Sequence, residues 1–431
     1  MIIRSKSGMF VRPVFVMLLL AAIVRGQRNS SAAPPAWQNP DIGFTLDGII
    51  DAYDVEGPWK SPGVTLRGAE LIISANIDPY AFLLGNVLIS EHGAELHEAF
   101  AVFPYLPLNL KGKVGLMLAG FGRWNRFHTH AMPFTSEPRI FREYAGGMLA
   151  LKGIEFSWMP PINHYIEITL SAYDRFQGHS HDVDPSISGD THASGKTADE
   201  IAEEIGAEKH GTHWHGPDGE ILYEEDLLAL AGETTSDDPV SITGNRRPDG
   251  FVYGGRITTT FELGPQISID LGGSALYQHR YKESQRIAGH TYGKLLYGAD
   301  ITLFWHPLTT NKYRNLQLGA EMLGSYEGFE RSSGNWILEE YYNRLGVFSW
   351  LAWRMSQRWQ TGVFGEFFRS NDYLDEQKAR YGAFITLDIT HYQYLRFEYS
   401  RYDYPGVLDG VNRIMLQYDA TIGYHTHGRQ R

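Results

Sequence analysis

The chain has 431 residues, with 50 acidic against 38 basic side chains, a formal net charge of −12 and no cysteine. Without cysteine there is no disulfide framework, thiolate metal site or cysteine nucleophile, and a net-acidic chain is a poor match for nucleic acid, so no nucleic-acid partner is expected. An apolar share of 43% excludes a disordered protein, and the single strongly apolar run, close to the start, argues against a helical transporter.

That run is Val14 to Val24, preceded by Arg4, Lys6 and Arg12. A basic stretch followed by an apolar core of about ten residues reads as a secretory signal peptide, assigned to 1–26. A spanning helix would need about 20 residues. Residues 27–40 (QRNSSAAPPAWQNP) are polar and Pro-rich and read as a linker.

From 41 to 424 the pattern is period-two alternation. Near the end, Ile414, Leu416, Tyr418, Ala420, Ile422 and Tyr424 oppose Arg413, Met415, Gln417, Asp419 and Thr421. The runs from Lys294 and Arg380 alternate in the same way. Such runs are strands with one apolar and one polar face. Their length, 11 to 14 residues, suits tilted membrane strands with an overhang. Charges within strands, such as Arg256, Asp270, Arg396 and Glu398, suit a wide aqueous lumen better than a packed core. Trp305, Trp350, Trp353, Trp359, Tyr402 and Tyr404 sit near strand ends and are candidates for interfacial girdles. The expected fold is therefore all-β: a transmembrane antiparallel β-barrel of about 16 strands, centred near 46, 70, 86, 99, 113, 152, 169, 256, 272, 298, 320, 345, 363, 384, 397 and 418. Short turns at 78–79, 104–107, 160–163, 263–266 and 356–357 alternate with longer connections at 54–62, 120–146, 177–248, 279–291, 327–337 and 403–410. The connection near 91–94 is the exception. Residues 425–431 form a tail.

The connection 177–248 carries sixteen acidic and four basic side chains, a deficit equal to the whole-chain net charge of −12. It reads as a partly helical external loop, with helices expected from Thr197 to about Lys209 and from about Glu220 to Leu230. Its H-x-H pairs make His179, His181, His210, His213 and His215 candidate metal ligands, because neutral imidazole with nearby carboxylates suits Zn²⁺. An EF-hand is excluded: Ile187 stands where its loop needs glycine and Ala193 where it needs glutamate.

The third external loop, 120–146, holds Arg123, Arg126, Arg139 and Arg142 with His128 and His130. With the signal peptide and the sixteen-strand pattern, this resembles bacterial outer-membrane porins, in which the third loop folds into the lumen. The resemblance implies that these six residues line a constriction and favour anions or relay metal. NPDI at 39–42, LRGAELIISANIDP at 66–79, Asn125-x-x-His128-x-His130 with Phe134 and Pro138, and Gly423-x-His425-x-His427 resemble a porin-like family with histidine-rich external loops associated with zinc acquisition.

The function these readings support is an outer-membrane channel of a Gram-negative bacterium for small ions or metal complexes. Its partners are then outer-membrane lipid and those solutes. No cofactor is required, beyond Zn²⁺ bound at the external loop. Trimerisation is common among porins, so a homotrimer is an expected assembly, although no residue pattern marks it. The alternative is a non-conducting metal-binding, adhesion or receptor barrel. No catalytic residues and no enzyme activity are expected: His97 with Glu95 and Glu98, and His164 with Glu167, read as lumen or rim residues.

Overall fold

The computed structural model describes residues 40–54, 59–90, 93–176, 178–179, 208–210, 213–215, 221–222, 250–282, 292–308, 313–333, 336–369, 377–405 and 408–423. The signal peptide, nearly all of the linker and the C-terminal tail lie outside these residues. Among them, sixteen antiparallel strands make one barrel. They are β1 (Asp41–Tyr53), β2 (Lys60–Asp78), β3 (Ala81–Ser90), β4 (Gly93–Leu106), β5 (Leu110–Leu118), β6 (Met148–Trp158), β7 (Ile166–Tyr173) and β8 (Val252–Glu262). The second half is β9 (Ile267–Lys282), β10 (Tyr292–Trp305), β11 (Asn315–Ser333), β12 (Trp336–Arg354), β13 (Trp359–Arg369), β14 (Gln377–Asp388), β15 (Gln393–Tyr404) and β16 (Leu408–Gly423). Each strand pairs with the next. β7 meets β8 across the long connection, and β16 closes on β1 from Gly43↔Gly423 to Tyr53↔Arg413. Closure leaves no open sheet edge, the condition for a sheet to stand in lipid. Every expected strand position lies inside one of these strands.

The alternation has the expected sense. Along β16, Leu416, Tyr418 and Ile422 are exposed, while Arg413, Met415, Gln417 and Asp419 are buried. An apolar outside around a polar inside is the arrangement of a lipid-facing barrel.

Three expectations are corrected. First, 327–337 is not a loop: β11 and β12 each run for 19 residues and pair up to Ser333↔Trp336. A membrane crossing takes about 9–11 residues, so this hairpin continues beyond the lipid belt. Its sequence there, EGFERSSGNWI at 327–337, lacks the period-two alternation. Second, Trp350, Tyr402 and Tyr404 are buried inside the barrel and belong to no girdle, whereas Trp353 and Trp359 do face outward. Third, where helices were expected within 177–248, the described backbone is strand. Glu208–His210 pairs with His213–His215, and Ile221–Leu222 adds to that sheet. The remainder of those expected helices lies outside the described residues.

Candidate functional site in the lumen

The connection between β5 and β6 does not project outward. It turns into the lumen and carries α1 (Arg139–Ala145), the one α-helix among the described residues. Its apolar side chains explain why. Trp124, Phe134, Ile140, Phe141 and Tyr144 are almost fully buried, in one cluster with Phe348, Trp350, Phe364, Phe368, Tyr402 and Tyr404 of the inner wall. Trp124 meets Phe134 and Trp350 edge-on at 4.9 Å between centroids. Burying a side chain of this size contributes about 1.5–3 kcal/mol, so the loop is held across the barrel by packing.

A loop inside a barrel must also satisfy its backbone, and inward charges of the wall do so. Glu321 on β11 accepts from the N–H groups of Arg123 (2.8 Å) and Trp124 (3.3 Å). Glu366 on β13 accepts from Ile140 N–H (3.3 Å) at the start of α1, where no side chain of the loop caps the helix. Arg380 pairs with the same carboxylate at 2.8 Å. Glu398 on β15 accepts from Thr135 N–H (2.7 Å). Arg396 donates to the carbonyls of Phe134 and Met132, both at 2.9 Å. Gly122 lies so close to Glu321 that a Cβ there would collide with the carboxylate, and its φ is +62°. Asn125 ties the loop base, donating to Ala119 O (3.0 Å) and accepting from Leu149 N–H (2.7 Å).

The six residues expected to line a constriction divide among several settings. Arg123 stacks over Trp124, Phe304 and Trp350 and lies 4.0 Å from Asp270. Burial pulls its guanidinium below the ordinary value, against the attraction of Asp270, Asp300 and Glu321. Arg139 is buried close to the Glu366 carboxylate, and Arg142 is half-buried on α1. Arg126 alone among the six lines a cavity of about 490 Å³ along the β3–β8 wall. Lys111, Lys113, Arg256, Glu155, Glu167, Phe82 and Phe100 line it too. Four basic and two acidic side chains leave a formal excess of two positive charges there. Arg256 is compensated by Asp300 at 2.7 Å, so Lys111, Lys113 and Arg126 stand against Glu155 and Glu167 and leave an excess of one positive charge.

His128 and His130 join a second cluster against β2, β3 and β4. His128 Nε2 lies 3.1 Å from Glu98 Oε2, with the Asn86 amide nitrogen 3.3 Å from the same ring nitrogen. His128 Nδ1 lies 3.6 Å from Glu70 Oε1, and His130 Nδ1 3.2 Å from that oxygen. Asn86 Nδ2 donates to Glu70 Oε2 (3.1 Å). The His97 and His128 rings are nearly parallel, with centroids 5.5 Å apart. All six of these side chains are buried. Burial disfavours charged imidazole, but the Glu70 carboxylate outweighs it: His128 is raised above its ordinary value and His130 to about 9.

Sequence reading missed Glu70 and placed His97 and Glu98 only as lumen or rim residues. Alternation sends one of two consecutive residues to lipid, yet both His97 and Glu98 are buried. The cause is a β-bulge. Asn86 pairs with Glu98 but Val87 with Leu96, leaving His97 as the extra residue. Arg67 is the extra residue of a second bulge; it pairs with Asp47 and donates to Thr135 O of the loop (2.5 Å). The signal available was a pair of adjacent polar residues within an apolar strand.

Of the five expected external ligands, the backbones of His210 and His213 occupy directly paired positions, and His215 pairs with Glu208. The backbone of His179 pairs with Met148 at the upper end of β6. His181 lies outside the described residues.

A closed sixteen-stranded barrel, apolar outside and polar inside, with its third loop in the lumen, is a porin-like β-barrel of the Gram-negative outer membrane. No family model matches the chain. An uncharacterized protein of Aquifex aeolicus (strain VF5) is 23% identical over 389 residues, 84% of this chain and 69% of that protein. Among solved structures, Pseudomonas putida OprB aligns with a TM-score of 0.51 at 9% identity, over 89% of this chain and 94% of that one. The outer membrane channel DcaP of Acinetobacter baumannii aligns at 0.49 and 11% identity, over 89% and 97%. An anion-selective porin from Comamonas acidovorans aligns at 0.48 and 10%, over 90% and 99%. At 9% identity the likeness to OprB concerns the fold alone.

Proposed function

We propose that the protein is an outer-membrane channel for small hydrophilic ions, anions and anionic metal complexes above all. Solute passes the third loop along the β3–β8 wall. The observation that carries this reading is the 490 Å³ cavity left beside the loop, with Lys111, Lys113 and Arg126 on its lining. Fixed positive charge at a narrow point raises the local concentration of anions and repels cations. The His179, His181, His210, His213 and His215 set belongs to the same reading as a zinc-capturing surface on the acidic external loop. What supports it is the H-x-H spacing, the excess of carboxylates and the pairing of His210 with His213 in the backbone. A metal carried as an anionic chelate reconciles the acidic loop with the basic passage. A homotrimeric assembly is part of the proposal and is read from sedimentation in detergent.

The test is current through the refolded protein in a planar bilayer under a KCl gradient. The expected result is a stable open channel whose reversal potential favours chloride. A triple variant with Lys111→Gln, Lys113→Gln and Arg126→Gln should lose most of that preference while its barrel still shows heat-shifted gel mobility. A folded barrel that never conducts would overturn the channel. It would favour the non-conducting metal-binding or receptor barrel, which the aromatic packing of the loop across the lumen also suits.

A further inference from the structure

The cluster beneath the third loop has a composition that loop docking alone does not require. Three imidazoles and two carboxylates meet in a space where the wall already offers Arg67 and Asn86 as donors. Glu70, His97 and His128 each offer one ligand atom, and these atoms lie within 4.8 Å of one another.

We infer that Glu70, His97 and His128 bind one divalent transition-metal cation, with Zn²⁺ the fitting probe, and that this ion fastens the third loop to the barrel wall. Two imidazoles with one carboxylate are a ligand set of first-row divalent metals, and three protein ligands leave a fourth position open. Ligand atoms at about 2.0–2.1 Å from a tetrahedral ion stand about 3.3–3.4 Å apart. The 3.6 Å from His128 Nδ1 to Glu70 Oε1 is already close to that spacing. His97 closes the remainder by rotation of its ring. Glu98 supplies the outer partner that such a site needs. It lies 3.1 Å from His128 Nε2, placed to accept that nitrogen's proton when Nδ1 binds the ion. Metal-binding histidines generally donate their other nitrogen to a carboxylate in this way. Glu98 is itself held by the Leu118 N–H at 3.1 Å.

Two further observations favour an ion over a structural latch. The bulge that turns His97 inward costs the β3–β4 ladder a regular pair; bulges recur where a strand must re-aim a side chain at a functional position. A cavity of about 30 Å³ adjoins Glu70, His97, His128 and His130. That is room for a water-sized ligand at the fourth position.

The experiment is Zn²⁺ titration by calorimetry on the full-length refolded barrel. All five external-loop histidines are first replaced by alanine, so that the lumen site is read apart from surface capture. Refolding is checked by heat-shifted gel mobility. This background should bind one Zn²⁺ per barrel, and Co²⁺ should give visible absorption bands typical of four- or five-coordination. In that background His97→Ala, on the wall and not the loop, and Glu70→Gln should each weaken Zn²⁺ binding at least 100-fold. Glu98→Gln should weaken it about 10–100-fold and shift the Co²⁺ bands. A folded background barrel that binds no Zn²⁺, or one whose binding and spectrum ignore both His97→Ala and Glu70→Gln, overturns the inference. The channel reading is judged by bilayer current alone, so either can fail without the other.

Discussion

Glu321, Glu366, Arg396 and Glu398, on one side of the lumen, bond to the backbone of the third loop. Lys111, Lys113 and Glu167, on the other side, face an open cavity. Both sets are inward charges on strands of the same barrel and look alike in sequence. On the first side each charge is desolvated, so it is tolerated only because loop donors, acceptors or a counter-ion compensate it. On the second side the charges border an open cavity instead of the loop backbone. One half of the wall therefore holds the loop, and the other half borders the passage proposed for solute.

The comparison is broken most severely at Arg380. Arg380→Ala leaves Glu366 buried without its 2.8 Å partner and should cost about 3–5 kcal/mol. The unfolding midpoint in urea, followed by gel mobility, should fall accordingly, and bilayer current should become noisy as α1 loosens. A variant as stable as its parent would mean that the clasp does not hold the loop. A smaller loss is expected at Gly122, where φ is +62° and Glu321 crowds the missing Cβ. Gly122→Ala should cost about 1–3 kcal/mol, read from the same urea midpoint. The smallest energetic effect belongs to the open half. Lys111→Glu should stay within about 0.5 kcal/mol of the parent in stability while lowering chloride preference several-fold in reversal potential. If Lys111→Glu destabilised the barrel as much as Arg380→Ala, the division of the wall into two roles would be wrong.

Much of the barrel was legible in the sequence. Alternation in β10, β14 and β16 reads directly, because a strand between lipid and lumen has no other way to place its side chains. The inward position of the third loop was legible only through resemblance, since its arginines and histidines would suit a solvated surface equally well. Trp350, Tyr402 and Tyr404 were misread because an aromatic at a strand end suits a girdle and a lumen equally well. The β11–β12 hairpin was cut short because alternation ceases where no lipid enforces it.

Residue order alone determined the closed barrel, its sixteen strands, the sense of its two faces and the short-turn end. These follow from a period of two and from the cost of an unpaired backbone in lipid, both local properties of a strand. Only the tertiary structure decided what the inward charges do. Thr135 finds Glu398 across 263 residues, and no local rule pairs them. The bulges at Arg67 and His97 are likewise fixed only between strands, because a bulge exists only relative to the register of its neighbour, and one strand offers at most the hint of adjacent polar residues at His97-Glu98. Those two displaced residues place Arg67 and His97 against the loop, and with them the cluster of Glu70, Glu98, His128 and His130.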